Sequence, residues 1–332
     1  MRMPNQAIQW ERHLTPTVDD LVDALNGATT FSKLDLRLGY HQLSLAPESR
    51  YITTFATHEG LRRYTRLNFG TNSASEIFQN VISEQIRDIP GAINISDDII
   101  VYGKIKQVHD EALNAVLRRF ADVGLTLRSD KCELNKDSLT FFGFVFSAKG
   151  ISPDPEKVKA IHDAFPPTST SEIRSFLVMV TYCAKFIPNF SDITKPLREL
   201  TKKNVPFQWA ELHKRAFQKV KDMLTSDTIM AYFDKEKQTE LTTDASPWGL
   251  SAILSQHTPG QDDRRIVAYV SRSLTSVEQR YSQTEKEALA IVWAVERLHT
   301  CFYGGHFKLL TDCKPVELIF NNKKSRPPAR IE

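Results

Sequence analysis

The sequence predicts an α+β protein of more than one domain. Three observations carry this: short apolar strands alternate with capped helices up to residue 150, a purely helical texture follows to about residue 232, and strands return from residue 239. With 332 residues and a hydrophobic fraction of 41%, the chain can bury cores of ordinary size without staples. Forty-three Lys and Arg against 40 Asp and Glu leave a net charge of +3, so bulk charge alone names no partner. Cys132, Cys183, Cys301 and Cys313 are scattered without C-x-x-C spacing, which reads as reduced thiols rather than a zinc site or disulfide framework. The start, Met1-Arg2-Met3-Pro4-Asn5, has no apolar core of a signal peptide, and no apolar run is long enough for a membrane span. An intracellular protein, cytoplasmic or nuclear and not bound to membrane, is the expectation.

A helix is expected over 17–25, with Thr17 as N-cap and Gly27 just beyond its end. Residues 30–36 read as a strand ending in an acid, 75–86 as a helix with Ile77, Phe78, Val81 and Ile82 on its apolar face, and 93–102 as two apolar arms around a polar centre. A further amphipathic helix over 109–123 stops at Gly124. Ser152-Pro153-Asp154-Pro155 opens a helix, Phe165-Pro166-Pro167-Thr168 separates it from the next, and 171–224 contain no convincing strand. Strands over 239–243 and 250–256 flank the turn Ser246-Pro247-Trp248-Gly249, and 266–271 form a third. A helix over 282–299, a strand over 307–311 and a short helix over 315–320 complete the pattern.

Two groups of acids stand out. Phe31-Ser32-Lys33-Leu34-Asp35-Leu36 sets Asp35 among β-formers, and Asn94-Ile95-Ser96-Asp97-Asp98-Ile99-Ile100 reads as a tight hairpin with both acids at its tip. Adjacent carboxylates repel unless cations compensate. Two magnesium ions, roughly 3.5–4 Å apart, do so in phosphoryl transfer, activating an attacking hydroxyl and stabilising the leaving oxygen. The alternative for Asp97-Asp98 is a solvated turn, and for Asp35 a strand-end cap. In the second group, Asp244 ends a strand and Asp312 follows one. Ser282-Gln283-Thr284-Glu285 is a capping box that gives Glu285 a structural task, whereas Glu287 aligns with Ile291, Ala294 and Leu298 on the apolar side of its helix. A carboxylate placed there is costly unless paired or metal-bound.

The company these acids keep resembles a known family. Phe31-Ser32-Lys33-Leu34-Asp35-Leu36-Arg37-Leu38-Gly39-Tyr40-His41-Gln42-Leu43 is similar to the first catalytic motif of gypsy-type LTR retrotransposon reverse transcriptases. Leu67-Asn68-Phe69-Gly70 with Ser73-Ala74-Ser75-Glu76-Ile77-Phe78-Gln79 resembles the template- and nucleotide-binding motif, and Asp97-Asp98 falls where the catalytic pair belongs. Gly124-Leu125-Thr126-Leu127 with Asp130-Lys131-Cys132 resembles the next motif, Phe142-Gly143-Phe144 with Gly150-Ile151 the primer-grip segment, and Phe186-Ile187-Pro188-Asn189-Phe190 the connecting segment.

The resemblance implies a reverse transcriptase palm over 1–150 with fingers largely missing, a helical thumb and connection over 151–232, and a partial RNase H-like α/β domain over 233–332. It implies RNA-directed DNA polymerase and RNase H activities acting on RNA and DNA template-primer, dNTPs and RNA–DNA hybrid, with two Mg²⁺ per site or Mn²⁺ in their place. Asp35, Asp97 and Asp98 would hold one pair of ions, and Asp244, Glu287 and Asp312 the other. Tyr40 would screen the sugar 2′ position (the alternative is core packing), and Phe69 and Gly70 would lie against the incoming nucleotide. Gln79 would lie near the template (the alternative is an exposed helical glutamine), and Lys131 would face the leaving pyrophosphate (the alternative is a solvated charge).

Three departures accompany the resemblance. Ile95 replaces the aromatic of the usual Tyr-x-Asp-Asp, Cys313 stands where the group commonly has histidine, and the fourth acid of an RNase H is expected beyond Glu332. The expectation is a piece of a Pol polyprotein lacking both ends, including protease and integrase. An inactive remnant that keeps the fold and grips nucleic acid is the competing reading; a cellular RNase H or unrelated nuclease leaves the first 230 residues unexplained.

Overall fold

In the computed structural model the residues described are 4–8, 13, 15–224, 228–261 and 263–321. The chain divides into two compact units, residues 1–139 with 146–148, and residues 140–145 with 149–332.

The first unit opens with the short α1 (Pro4–Ala7) and α2 (Val18–Ala24). The Thr17 N-cap is as expected, and Asp20 completes a capping box: Thr17 Oγ1 accepts from the Asp20 N–H, and Asp20 Oδ2 accepts from the Thr17 N–H at 2.7 Å. β1 (Thr30–Asp35), the small hairpin β2 (Phe55–Thr57) and β3 (Gly60–Arg62), α3 (Ala74–Ile86), β4 (Ala92–Ile95), β5 (Asp98–Gly103), α4 (Lys106–Val123) and β6 (Glu133–Lys136) follow. The sheet order is β4-β5-β1-β6. In its central antiparallel pair the register runs from Thr30↔Gly103 to Asp35↔Asp98.

That register sorts the side chains by face, since alternate residues of a strand point oppositely. Leu34, Ile99 and Val101 join Phe78, Ile82, Val116 and Phe120 in the core beneath α3 and α4. Lys33, Asp35 and Asp98 therefore lie on the opposite face. Ser32, on the core face, accepts from the Asn135 N–H at 3.0 Å and lies 2.8 Å from His109 Nε2, while His109 Nδ1 lies 2.9 Å from Asp110. This serine–histidine–aspartate string has its serine and histidine buried, so it ties β1 to α4 and β6 rather than presenting a nucleophile.

The sequence pattern does not predict strands over 133–153. The structure has β6, β7 (Ser138–Phe141), β8 (Phe144–Ser147) and β9 (Gly150–Pro153) there, the last three forming one sheet in the order β7-β8-β9. Each has four residues and β6 is exposed throughout, so no period can emerge. β2 and β3, of three residues each, are hidden from the pattern for the same reason. Gly150 has φ +134°, and a Cβ there would lie 2.1 Å from the Met230 carbonyl oxygen, so only glycine permits the Ile151–Met230 bridge.

The helical region of the second unit is as expected: α5 (Pro155–His162), α6 (Thr170–Tyr182), α7 (Phe190–Glu199) and α8 (Glu211–Met223). Asp154 caps α5 ahead of Pro155, and Ser169 caps α6. β10 (Gln238–Ala245), β11 (Gly249–His257), β12 (Arg265–Ser273), α9 (Gln283–Arg297), α10 (His299–Phe302), β13 (Phe307–Leu310) and α11 (Lys314–Asn321) complete the unit. The sheet order is β12-β11-β10-β13. β13 is parallel to β10, which demands a crossover, and α9 supplies it. Leu241, Leu254, Ala294, Leu298 and Phe302 fill the interface between sheet and helix. α7 also docks on this sheet: the Ser191 N–H donates to Ser271 Oγ at 3.1 Å, and Lys195 Nζ stands 2.9 Å from the Trp248 ring centre.

The segment between β12 and α9 is fastened by an ion pair that gives a pH-dependent expectation. Glu278 takes two bonds from the Arg272 guanidinium, at 2.8 and 2.9 Å, and one from the Thr275 N–H at 2.7 Å, which together hold its carboxyl down at about 2. A carboxylate whose pKa is depressed by folding stabilises the native state above the ordinary carboxylate range, and that contribution is lost as pH falls through the depressed value. Urea titrations should show about 1 kcal/mol of stability lost between roughly pH 4 and pH 2 that Glu278→Gln does not lose, allowing for solvent screening.

Two candidate carboxylate sites

The first site is built by strand register. Ile95 pairs with Asp98, so Ser96 and Asp97 form the hairpin turn, with Ser96 at φ 55° in the left-handed region such turns require. Asp98 faces Asp35 across the strands. A buried amide network clamps the turn from α3. Gln79 Oε1 accepts from the Ser96 N–H at 2.6 Å, Gln79 Nε2 donates to the Asn94 carbonyl at 2.9 Å, and Asn94 Nδ2 donates to the Gln79 carbonyl at 3.1 Å. Gln79 is thus not the exposed helical glutamine of the alternative reading; at 1% exposure its amide is bonded to the hairpin that carries Asp97. Sequence reasoning places it differently because a polar residue on a helix reads as solvated until its buried partners are seen.

Burial pushes the Asp97 carboxyl up, and the charges of Asp98 and Asp35 push it further. Its Oδ1 is buried and accepts no hydrogen bond. Asp98 is likewise raised by burial, opposed by Lys33, whose Nζ lies 3.4 Å from Oδ1, and more weakly by Lys131. Lys33 is a site residue that the motif reading passes over, although its place two residues before Asp35 on one strand face is legible. Tyr40 packs against Phe69 and Phe78 at ring distances of 4.8 and 5.2 Å, and its hydroxyl is raised by burial and by the Asp97 charge. Core packing and a place beside the acids therefore coexist in one side chain. Phe69 is 61% exposed, Gly70 has φ +88° with its carbonyl accepting from Asn5 Nδ2 at 2.8 Å, and Lys131 is exposed.

The second site is tighter. β10 and β13 pair in parallel through Thr242↔Leu310, so Asp244 and Asp312 stand two residues further along neighbouring strand ends. α9 brings Glu287 against them, and one carboxylate oxygen from each of the three lies within 4.8 Å of the others. Among the described residues this is the one trio of acids found to converge so, and at the first site Asp98 lies 3.4 Å from Lys33 Nζ. Glu287 is 4% exposed; Gln283 Nε2 donates to its Oε1 at 2.6 Å and to the Ala245 carbonyl at 2.6 Å, while Oε2 is buried with no partner. Burial raises the Glu287 carboxyl, the charges of Asp244 and Asp312 add to this, and Gln283 opposes it. Asp244 is raised by burial, then by Asp312, with Asp192 of α7 contributing. Glu285 closes the capping box on Ser282 as expected. Gln283, four residues before Glu287, is readable as its helical neighbour; Asp192 is not, being brought in by tertiary packing.

Both clusters fit hard divalent cations by the chemistry of their donors. Each gathers carboxylates from separate elements around a buried oxygen with no protein hydrogen, an arrangement that is costly without a cation. Among the described residues, no helix is long and apolar enough to cross a membrane.

Comparison with known proteins follows the same division. Residues 2–146 match the family model of reverse transcriptase (RNA-dependent DNA polymerase), and residues 209–309 match that of the RNase H-like domain found in reverse transcriptase. The chain is 35% identical to the retrovirus-related Pol polyprotein from transposon opus of Drosophila melanogaster, over 96% of this chain and 33% of that one. It is 34% identical to the corresponding polyprotein from transposon gypsy of the same organism, over 92% of this chain and 30% of that one. Identity to the Tf2-3 transposon polyprotein of Schizosaccharomyces pombe is 30%, over 90% of this chain and 22% of that one. The chain thus spans about a third or less of the curated relatives it matches. The fold is that of the foamy viral protease-reverse transcriptase solved with double-stranded DNA, at a TM-score of 0.82 and 21% identity, over 97% of this chain and 67% of that one. The chain carries the reverse transcriptase and RNase H-like regions found in the retrovirus-related Pol polyproteins of gypsy-type retrotransposons.

Proposed function

We propose that this chain performs RNA-directed DNA synthesis at Asp35, Asp97 and Asp98 and cleaves the RNA of RNA–DNA hybrids at Asp244, Glu287 and Asp312. The observation that carries the proposal is the pair of buried carboxylate oxygens without hydrogen-bond partners, Asp97 Oδ1 and Glu287 Oε2, one in each cluster. When bound, two Mg²⁺ or Mn²⁺ ions per site supply activation of the attacking hydroxyl or water and stabilisation of the leaving oxygen.

The protein's part is placement. Asp35 and Asp97 would hold the ions of the first site, with Asp98, restrained by Lys33, supporting them. Gln79 fixes the turn that presents Asp97. Tyr40 bounds the nucleotide pocket beside Asp97, Phe69 and Gly70 lie along the incoming dNTP, and Lys131 offsets charge on the departing pyrophosphate. At the second site Gln283 orients Glu287 toward Asp244 and Asp312.

The working division is a palm over 1–150, a thumb and connection over 151–232 and a nuclease domain from 233. Template-primer, hybrid and dNTPs are the substrates, and the parent polyprotein supplies protease and integrase. The work is done inside the cell, in cytoplasmic particles or the nucleus.

The test is extension of oligo(dT) on poly(rA), together with release of fragments from a labelled hybrid. Incorporation and cleavage that require Mg²⁺ or Mn²⁺ and stop with chelator are expected. A chain that binds template-primer yet neither extends nor cuts would instead be the inactive remnant.

A further inference from the structure

We propose that Asp192, carried by α7, is an outer carboxylate of the second site that strengthens cation binding by Asp244, Glu287 and Asp312 without coordinating the ion directly. The inference rests on the metal reading of that site and adds a residue from outside the sheet and its crossover helix.

Strand register brings α7 to the acids. Asp244 pairs with Ser251, and Ser251 with Ser271, so the three share one face of the sheet. Leu241 and Leu254 pack against α9 from the opposite face. The Ser191 N–H donates to Ser271 Oγ at 3.1 Å, which seats the first turn of α7 on the face that Asp244 shares. Neighbouring strands lie about 4.8 Å apart, so this anchor is roughly 10 Å from Asp244. Asp192, the next residue, reaches toward the turn that follows Asp244. A Cβ on Gly249 would lie 2.6 Å from Asp192 Oδ1 and 2.7 Å from Ser191 Oγ, so the approach needs glycine there. Gly249 closes that turn, its carbonyl accepting from the Ser246 N–H at 2.9 Å.

The carboxylate is uncommitted. Lys195 feels its charge but stands 2.9 Å from the Trp248 ring centre, and among the described residues no cation forms an ion pair with Asp192. Ser191 beside it is 2% exposed with Oγ unpartnered, just as Glu287 is 4% exposed with Oε2 unpartnered. Such buried oxygens are costly unless a cation and the water it carries satisfy them. Asp192 is not among the acids whose oxygens lie within 4.8 Å of one another, so it acts from outside the ligand trio. Burial and Asp312 raise the Asp244 carboxyl, and the charge of Asp192 adds to them. It does not figure in what raises Glu287, so Asp192 approaches from the Asp244 side. The negative charge that repels Asp244 attracts a cation held by Asp244. An acid in the first turn also complements the dipole of α7. That task alone would cost stability in Asp192→Asn and leave metal affinity unchanged.

The test uses the full chain carrying Asp35→Asn/Asp97→Asn, so that ions at the first site do not mask the second. Free Mn²⁺ is read by electron paramagnetic resonance during titration. Adding Asp192→Asn should raise the Mn²⁺ dissociation constant roughly tenfold, within the range for groups behind metal ligands. Asp192→Glu should restore most of that affinity, and Glu199→Gln, further along the same helix, should leave it unchanged. Gly249→Ala keeps every charge, but its methyl group meets Asp192 Oδ1 and turns the carboxylate aside, so it should weaken Mn²⁺ as Asp192→Asn does. With the first site intact, hybrid cleavage by Asp192→Asn should need roughly tenfold more Mg²⁺ for half its maximal rate, with that maximum within about threefold of the unaltered chain.

Unchanged Mn²⁺ affinity in Asp192→Asn would overturn the proposal. So would an equal loss in Glu199→Gln, which would assign the effect to the net charge of α7. Glu287→Gln separates the two levels of the argument. Mn²⁺ binding that this variant abolishes and Asp192→Asn leaves untouched sinks the role of Asp192 alone, whereas a parent chain that binds no Mn²⁺ at all sinks the metal reading of the site and this inference with it.

Discussion

Asparagine in place of Asp97 is expected to abolish templated incorporation while leaving the fold intact or slightly firmer. The substitution keeps the shape of the side chain at the hairpin turn, which is fixed from α3 by Gln79 and not by Asp97 itself. It removes the charge that Asp98 and Asp35 oppose and leaves no anionic ligand at the buried Oδ1 position. Metal-borne stabilisation of transition-state charge is worth several kcal/mol, and at 1.36 kcal/mol per tenfold the loss is roughly a thousandfold or more. Steady-state incorporation of labelled dTTP on poly(rA)/oligo(dT), read beside a thermal melt, checks both halves. Incorporation within about tenfold of the unaltered chain, on that same conversion, would remove Asp97 from the chemistry. Lys33→Met separates the supporting role from the catalytic one. It frees Asp98 from its 3.4 Å partner, so it should weaken metal dependence more than it lowers the rate at saturating metal.

Much of this arrangement is readable from local sequence, and the parts that are not share a cause. Thr17, Ser282 and Gly124 announce helix ends because capping is decided within one turn of chain, and all three stand where expected. The Asp97 hairpin is legible because two apolar arms around a polar pair leave few other folds. The burial of Glu287 follows from its spacing to Ile291 and Ala294. What escapes the sequence is non-local. Gln79 is polar and on a helix, and its meaning lies in Ser96 and Asn94 on a different element. Asp192 gains its influence on Asp244 only because α7 docks on the sheet that carries β10, across a separation of 52 positions of chain. The four-residue strands β7, β8 and β9 carry too short a period to register, and Gly150 shows its necessity only once the Met230 carbonyl is in place.

The second large effect should appear as opposite changes in stability and activity at Glu287. A carboxylate 4% exposed, with Oε2 unpartnered and two acids nearby, destabilises the metal-free fold. Glu287→Gln keeps an oxygen for the Gln283 amide, removes the repulsion from Asp244 and Asp312, and should therefore raise metal-free stability by about 1–2 kcal/mol, a melting increase of roughly 2–6 °C for a unit of this size. The same change takes one ligand from the trio, so hybrid cleavage should fall roughly a thousandfold. The increase in melting temperature that Mg²⁺ or Mn²⁺ confers on the unaltered chain should shrink or vanish, since an ion stabilises the fold only in proportion to how far its concentration exceeds its dissociation constant. Melts with and without each metal, paired with cleavage of an end-labelled RNA in hybrid, read all three. A variant that melts lower without metal yet keeps its full metal-induced shift would mean that Glu287 serves the packing of α9 and does not face an ion. Gain of stability with loss of metal response and cleavage is the combination that a ligand held under strain must give, because the repulsion relieved by substitution is the same force that draws a cation into the site.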